Sequence, residues 1–168
     1  QVELLAGLDS GELELALLYD LDLPNYIEKT KLMELTPHVV LPKKHRLSTQ
    51  VDIDIVELAN EPFILLDVPP SREYFLGLFK EAGLSPKVVH SSPSLELVRG
   101  LVGYGLGFSL LVTRPVSDLT YDGQQLVIRP LRSNLNNSSI ILARHKDLRP
   151  TKLMKNFNDL AQEILGAT

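Results

Sequence analysis

Cysteine is absent from the 168-residue sequence, which excludes disulfides, thiolate metal sites and cysteine nucleophiles. Basic residues are not in excess either, because 17 lysines and arginines stand against 21 aspartates and glutamates, a formal net charge of −4. A chain whose main task is to grip nucleic acid needs a basic surface, so this charge argues against that role. No apolar stretch approaches the ~20 residues that span a bilayer, and no signal peptide is visible. The absence of cysteine is typical of the reducing cytoplasm.

The sequence also lacks a recognisable catalytic or metal-binding constellation. The four histidines, at positions 38, 45, 90 and 145, have no ligand spacing to one another or to carboxylates. The nucleophile elbow G-x-S-x-G is missing, because Ser109 lies in GFSLL, inside a predicted strand. We therefore expect no enzymatic activity, no bound metal and no cofactor.

Four glycines, at positions 100, 103, 105 and 107, fall within the apolar run LVRGLVGYGLGFSLLV. A phosphate-binding loop would leave a strand and open a helix. Here the order is reversed, because apolar residues at helical spacing precede the glycines and the buried-strand pattern FSLLV follows them. We predict that Gly105 ends a helix in the left-handed conformation and that Gly107 lets the chain turn into a sheet, which is an architectural role.

Strands alternate with helices along the chain, which predicts an α/β fold with mostly parallel sheet. The predicted strands cover residues 13–19, 30–42, 63–66, 87–90, 108–112, 126–131 and 139–144. Helices are expected over residues 1–8, where Gly7 ends the first, and after Asp52, Ser71, Ser94 and Pro150. The last helix carries one apolar face, formed by Leu153, Phe157, Leu160, Ala161 and Ile164.

Two of these helices begin directly after strands with clustered hydroxyl side chains. DVPPSREYF places Ser71, Arg72 and Tyr74 at one start, and HSSPSLEL places Ser92 and Ser94 at the next. Small ligands bind at the carboxyl ends of parallel strands, where free N–H groups and the positive helix pole favour an anion. Alternatively, Ser71 and Ser92 or Ser94 only cap their helices, and Arg72 is a solvated charge. The sequence leaves both interpretations open.

Four segments follow one another across nearly the whole chain: GELELALLYD, HVVLPKKHRLS, ANEPFILLD and LVRGLVGYGLGFSLL. Their order resembles the effector-binding domain of LysR-type transcriptional regulators. The family usually has Asp where Glu14 stands, Pro where Arg46 stands and often Pro where Val112 stands, whereas residues 105–109 match well. These departures concern local turns more than the fold.

The resemblance implies a two-lobed α/β fold of the type II periplasmic-binding-protein kind, with a mostly parallel sheet flanked by helices in each lobe. Two crossing segments, near Leu35 and near Ser138 in the Asn-rich stretch 133–139, would join the lobes. Lobe one would comprise residues 1–35 and 139–168, and lobe two residues 36–138. The family's winged helix-turn-helix, and the first strand and most of the first helix of lobe one, would precede residue 1.

The family places its effector in the cleft between the lobes, so the resemblance adds Tyr19 to the candidate binding residues Ser71, Arg72, Tyr74, Ser92 and Ser94. We expect a ligand-sensing regulatory domain that binds a small, singly anionic effector. The bacterial, cytoplasmic regulator would be a homodimer, or a tetramer at full length, and would reach DNA only through the helix-turn-helix, with no membrane contact. Residues 13–19 of one copy would lie near residues 94–104 of the other.

Two other functional classes remain open at this stage. A periplasmic solute-binding protein of the same fold is the alternative, which a signal peptide on the full gene would favour. An enzyme on this fold is the third, and the lack of a nucleophile–base pair or a metal set argues against it.

Overall fold

The structure, a computed structural model, describes residues 1–132 and 138–165, so most of the predicted linker 133–139 lies outside the described residues. The chain divides into two compact units. Unit one is Gln1–Leu35 with Asn137–Thr168, and unit two is Thr36–Asn136, whereas the resemblance sets the second boundary between residues 138 and 139. Within the described ranges, no helix is long and apolar enough to cross a membrane.

The described elements alternate between strand and helix along the chain. The strands are β1 (Ala16–Tyr19), β2 (Ile27–Leu35), β3 (His38–Pro42), β4 (Ile53–Asp54), β5 (Pro62–Leu66), β6 (Lys87–Ser92), β7 (Ser109–Leu111), β8 (Leu126–Arg132) and β9 (Ser138–His145). The helices are α1 (Val2–Ser10), α2 (Ser71–Glu81), α3 (Leu95–Gly103) and α4 (Lys152–Leu165), with a short 3₁₀ turn at Ile55–Leu58.

Unit one is a three-stranded sheet in the order β1-β9-β2. Both pairings of β9 are antiparallel, because β2 leaves the unit at Leu35 and β9 re-enters it from the same end at Ser138, its partner in the register. On one face, Leu8 of α1 packs with Ala16, Leu18, Ile141 and Ala143 of the sheet. The two ends of the sequence therefore share one core.

Unit two has a four-stranded sheet in the order β4-β8-β3-β7 and a parallel pair, β5-β6. A parallel bridge between Phe63 and Phe108 joins the two, and these rings stack with centroids 5.0 Å apart. Alternate residues of β3 face opposite sides. Val39 packs in the core with Phe79 of α2, whereas Val40 packs with Val98 of α3, so the two helices cover opposite faces.

The α/β class is confirmed, but the sheets are less parallel than predicted. Among the described pairs, β1–β9, β2–β9, β3–β7 and β3–β8 are antiparallel, and β4–β8 and β5–β6 are parallel. Parallel neighbours require a crossover connection. The chain supplies a helical crossover between β5 and β6, where α2 joins the two strands.

The first helix does not end at Gly7, as the sequence predicts. It continues to Ser10, and Gly11 ends it in the left-handed conformation with φ 75°. Gly7 is needed for packing instead, because a Cβ there would lie 2.8 Å from Cδ1 of Leu13. The glycine marks a close contact inside the helix and not its end.

The architectural interpretation of the glycine-rich run is confirmed. Gly105 follows α3 with φ 79°, as a helix-ending glycine should. Gly107 lies against β5, where an added Cβ would come within 2.3 Å of the Pro62 carbonyl oxygen. This close approach lets the Phe108 N–H donate to that carbonyl at 2.9 Å, and the Ile64 N–H donate to the Phe108 carbonyl at 2.8 Å.

The amphipathic helix predicted after Pro150 is α4, but its apolar face is not buried. Only Met154 is buried among its described residues. Leu153, Phe157, Leu160 and Ile164 are 46–74% exposed. Their spacing along the helix gives one apolar stripe, and the sheet of unit one does not cover it.

Candidate functional site

Strand pairing brings the two hydroxyl-rich helix starts to one edge of unit two. Leu66 and Ser92, the last residues of β5 and β6, are register partners. The Asp67 N–H donates to the Ser92 carbonyl at 2.8 Å, which extends the pairing past the strands. Because α2 and α3 then cover opposite faces of the sheet, this edge is a topological switch point, the place where open α/β sheets bind ligands.

At the start of α3 the capping interpretation is confirmed for Ser94. Its Oγ accepts from the Leu97 N–H at 3.3 Å, and the backbone of Ser94 is extended, as at an N-cap. The Oγ of the buried Ser92 accepts from the Ser94 N–H at 3.1 Å. A hydroxyl that accepts keeps its own proton to donate, so both side chains retain a donor.

At the start of α2 the capping interpretation is wrong for Ser71. The helix begins one residue earlier than that role requires, with Pro70 at the cap position and no side-chain cap bond. The Arg72 N–H donates to the Val68 carbonyl at 3.2 Å, and the Tyr74 N–H donates to the Pro70 carbonyl at 3.1 Å. Ser71 is therefore the first helical residue, and its hydroxyl is not occupied by capping.

Arg72 is paired and not simply solvated. Its Nη1 lies 2.9 Å from Oδ2 of Asp67, and the two side chains are 44% and 33% exposed. Asp67 was not among the predicted site residues, although a carboxylate five residues before an arginine, across a helix start, is visible in the sequence. The pair offsets one charge of each sign, and Glu73 in the first turn of α2 leaves this helix start with an excess carboxylate.

The two candidate tyrosines have different surroundings. Tyr74 packs against the α2 face of the core, its ring 5.3 Å from that of Phe75, and its hydroxyl oxygen is buried. Tyr19 ends β1 in unit one, and its N–H donates to Oε1 of Gln1 at 3.1 Å. The structure thus brings Ser71, Arg72, Ser92 and Ser94 to one edge, whereas the Tyr74 hydroxyl points into the core.

His38 belongs to the same edge, although the spacing of the histidines in the sequence gave no sign of a site there. It begins β3 opposite Leu111, the last residue of β7, which runs parallel to β5 through the Phe63–Phe108 bridge. Burial, and to a lesser degree the Arg114 guanidinium, lowers the pKa of His38 from 6.5 to about 4, so the ring is neutral at pH 7. Its Nε2 is buried and has no hydrogen-bond partner in the part of the chain that the structure describes.

The loop that follows β7 is anchored by a buried arginine of α3. Arg99 is only 5% exposed, and its Nη2 donates to the carbonyls of Ser117 and Leu119 at 2.7 and 2.9 Å. Its Nη1 donates to Oε1 of Glu96 at 2.8 Å. Arg99 holds the loop beside α3, so its hydrogen-bond donors have a structural role.

No catalytic or metal-binding grouping emerges from these contacts. Across residues 1–132 and 138–165, no group of three or more His, Cys, Asp or Glu side chains is placed to hold a metal ion. Two cavities of about 290 and 700 Å³ lie in unit one, beside α4, and neither coincides with the helix starts of unit two. The choice of the switch-point edge as the candidate site therefore depends on the strand order and on the hydrogen-bond donors at that edge.

The family model described as the LysR substrate binding domain matches residues 1–166. A transcriptional regulator of Escherichia coli K12, YnfL, is 30% identical over 112 residues, which are 65% of this chain and 38% of that protein. The crystal structure of HinK, a LysR family regulator from Pseudomonas aeruginosa, is 47% identical with a TM-score of 0.92, over 100% of this chain and 59% of that one.

The effector-binding domain of BenM, solved with its effector benzoate, shares the fold at 19% identity and a TM-score of 0.84, over 99% of this chain and 76% of that one. The chain thus spans under two fifths of the curated relative YnfL and about three fifths of HinK. Because the family model covers almost every residue, this chain belongs to the LysR substrate-binding domain family, the effector-binding domain of transcriptional regulators.

Proposed function

We propose that the carboxyl edge of the unit-two sheet binds the small effector through the starts of α2 and α3. The observation that carries the proposal is the pairing of Leu66 with Ser92, which joins two helix starts whose helices diverge to opposite faces. Both helices begin at this edge, so the positive pole of each helix lies there. That combination favours a small ligand with one anionic group, such as a carboxylate.

Side-chain donors support the same chemistry. Ser92 and Ser94 each accept a backbone N–H and keep a hydroxyl proton, and Ser71 has a hydroxyl free of capping. Arg72 has five N–H donors, and its pairing with Asp67 leaves donors for a second carboxylate. A carboxylate effector would share Arg72 with Asp67, so Asp67 sets how much that arginine contributes.

The proposed consequence of binding is a shift between two arrangements of the regulator. An effector changes such an equilibrium only as far as it binds the two arrangements differently. DNA contact belongs to the N-terminal domain of LysR-family regulators, and the net charge of −4 suits a domain that does not itself hold DNA. The relatives are transcriptional regulators, which supports this role over a periplasmic solute-binding protein and over an enzyme.

We also infer that the regulator is cytoplasmic and works as a homodimer, or as a tetramer at full length. We expect the dimer contact to lie around β1 and α3, as the family resemblance implies. Each of these carries an exposed leucine, Leu17 at 48% and Leu97 at 53%, as a self-complementary contact needs.

Calorimetry on the chain and its variants tests the effector site, with benzoate and other small carboxylates as probes. We expect Ser94→Ala and Arg72→Met each to weaken binding of the carboxylate that binds by about tenfold, as loss of a charge-assisted hydrogen bond does. Ser85→Ala is the matched control, because Ser85 is exposed and precedes β6 at the opposite edge.

If Ser94→Ala, Arg72→Met and Ser85→Ala bind the carboxylate with equal affinity, the effector site lies elsewhere. The chain alone should also leave duplex DNA unshifted at physiological salt. A shift that weakens steeply with added salt would contradict the assignment of DNA binding to another domain.

A further inference from the structure

One ring nitrogen of His38 is unpaired at the edge of unit two where α2 and α3 begin. The side chain is 9% exposed, and its Nε2 is buried. Among the residues that the structure describes, none forms a hydrogen bond with that atom. A buried polar atom without a partner costs free energy, so most such atoms in folded proteins are paired. Nε2 of His38 therefore calls for a partner from outside these residues.

At this atom the ring has a lone pair and not a proton. Burial, with a smaller contribution from Arg114, lowers the pKa of His38 to about 4, so at pH 7 the ring is neutral and carries one N–H. A hydrogen bond with the Thr36 backbone acts in the opposite direction and raises the pKa, so it uses that N–H. Because Nε2 has no partner, the N–H belongs to Nδ1. Nε2 is therefore a hydrogen-bond acceptor.

His38 faces the same side of the sheet as α3. Val40, two residues further along β3, packs with Val98 of α3, and alternate residues of a strand point to one face. Leu111, the register partner of His38, packs in the same group. The ring of His38 therefore lies on the α3 side of the sheet, at the edge where Ser94 begins that helix.

Two charged side chains of the loop after β7 act on the ring. The Arg114 guanidinium lowers the pKa of His38, and the Asp118 carboxylate raises it to a lesser degree. These two are an ion pair, with Nη2 of Arg114 3.3 Å from Oδ2 of Asp118. Burial and Arg114 disfavour a positive charge on the ring, and they disfavour a cationic ligand group beside it for the same reason. The donor that suits Nε2 is therefore a neutral O–H or N–H.

We propose that Nε2 of His38 accepts a hydrogen bond from the effector, which carries a neutral O–H or N–H donor in addition to its anionic group. This inference rests on the proposed function, in which the anionic group lies at the starts of α2 and α3. It narrows the effector class from small carboxylates to hydroxy carboxylates and carboxylates with a neutral N–H. A site with a buried acceptor discriminates against an analogue that lacks the donor, because the acceptor is then left unpaired.

The burial of Nε2 connects this bond to the shift between arrangements of the regulator. The atom has almost no contact with solvent, so a ligand donor reaches it only after a local shift of the residues around it. An effector that gains the bond after this shift binds the shifted arrangement more tightly. Such a difference in affinity is what an effector needs to change the equilibrium. His38 thus selects the effector and favours the shift.

Matched probes test the donor. The meta and para isomers of hydroxybenzoate are compared with benzoate and with the corresponding methoxybenzoates, which keep the oxygen but have no proton to donate. Lactate and propanoate form an aliphatic pair. By calorimetry, at least one hydroxy compound should bind the unchanged chain about tenfold more tightly than its donor-free partner.

Variants of His38 show whether the preference depends on its ring nitrogen. In His38→Phe, which keeps a ring but has no acceptor, the two members of the pair should bind with equal affinity. His38→Gln keeps an acceptor and should retain part of the preference. Circular dichroism checks that each variant is folded.

Ser109→Ala is the matched control. The Oγ of Ser109 is also buried without a partner among the described residues, and Ser109 pairs with Val40 on the α3 side. It lies at the other end of β7 from Leu111, away from the helix starts. The preference for the hydroxy compound should therefore be unchanged in this variant.

Nitrogen-15 NMR of the His38 ring gives a readout that does not depend on affinity. At pH 7 the proton should be at Nδ1, and the Nε2 resonance should shift when the preferred hydroxy compound is added. The donor-free partner should leave that resonance in place.

The inference is overturned if every hydroxy compound binds only as tightly as its donor-free partner, or if the NMR spectrum shows the proton at Nε2. A preference that persists in His38→Phe, or that Ser109→Ala also removes, overturns it as well. These results leave the effector site standing as long as Ser94→Ala and Arg72→Met weaken binding of both members of a pair. If neither of those variants weakens binding, the proposed function fails even where the preference depends on His38. If no probe binds, both fail.

Discussion

At the start of α2, Nη1 of Arg72 lies 2.9 Å from Oδ2 of Asp67, so the cation nearest the proposed effector site already holds a carboxylate. Asp67→Asn should therefore strengthen binding of a carboxylate probe by about threefold to tenfold, because Arg72 is released and a like charge is removed. Calorimetry with benzoate and other small carboxylates checks this. Weaker binding in Asp67→Asn would show that the effector uses Asp67 directly, as a cationic ligand would.

The two helix-start serines should differ in their effect on stability. Ser94→Ala should lower the free energy of unfolding by about 1 kcal/mol, because Ser94 Oγ caps α3 by accepting from the Leu97 N–H. Ser71→Ala should change it by less than about 0.5 kcal/mol, since Ser71 makes no cap bond. Urea unfolding of both variants measures the difference, and equal losses would mean that the hydroxyl of Ser71 has a structural partner.

Arg99 should be among the most sensitive polar residues of unit two. Arg99→Met should lower the free energy of unfolding by about 3 kcal/mol, because the carbonyls of Ser117 and Leu119 lose their hydrogen-bond donor beside a buried position. Glu96→Gln is the control, since Glu96 is 51% exposed and its ion pair with Arg99 contributes about 1 kcal/mol or less. Denaturant midpoints for both variants show which substitution destabilises the chain more. A larger loss of stability in Glu96→Gln than in Arg99→Met would contradict this prediction.

Two glycines of the same segment should respond oppositely to alanine. Gly107→Ala should destabilise the chain by about 3 kcal/mol or more, because its Cβ would meet the main chain of Pro62 at 2.3 Å. Gly100→Ala should stabilise by about 0.5–1 kcal/mol, since Gly100 lies inside α3 with nothing within 4 Å of an added Cβ. Thermal melts suffice to see the two signs, and a tolerated Gly107→Ala would mean that β7 can move away from β5.

His38 should make stability depend on pH. Its pKa is about 4 in the folded chain and about 6.5 unfolded, so the unfolded state binds the proton first. Above pH 6.5 the ring is neutral in both states and does not lower the free energy of unfolding. As the pH falls from 6.5 towards 4, the unfolded state binds the proton and the free energy of unfolding decreases. Between pH 7 and pH 5 the unchanged chain should lose about 2 kcal/mol more than His38→Asn.

The groups that act on His38 set the control for that measurement. The Arg114 guanidinium lowers the pKa of His38 and the Asp118 carboxylate raises it. Asp118→Asn should therefore still lose stability as the pH falls, with the pH range of that loss extended slightly to lower pH. Urea unfolding at a series of pH values checks both, and the same pH dependence in His38→Asn as in the unchanged chain would contradict the assignment.

Local features of the fold were predictable because they depend on neighbouring residues. Gly105 ends α3 as predicted, since an apolar helical run followed by glycine leaves few other solutions. Ser94 caps α3 for a similar reason, as an extended serine directly before helical apolar spacing. The strand at Pro62–Leu66 follows from a short apolar run between polar segments.

Features that depend on distant residues were not predictable from the pattern. The cap position of α2 is Pro70 and not Ser71, because backbone bonds to the Val68 and Pro70 carbonyls make Ser71 helical, and residue type does not reveal those bonds. Whether neighbouring strands run parallel or antiparallel depends on how the chain connects them. The periodicity of apolar residues along a strand does not indicate its direction. The stripe on α4 was visible in the sequence, but its exposure depends on what the sheet of unit one can cover.

Unit one joins Leu35 and earlier residues to a strand that begins at Ser138, so its sheet pairs segments more than 100 residues apart. During synthesis, unit two is a continuous stretch that can fold once it has emerged, whereas β1 and β2 must wait for β9 between them. Pairing over so long a separation is slow. We expect a ribosome-bound chain that stops before residue 138 to contain a protease-resistant unit two beside an unfolded first segment.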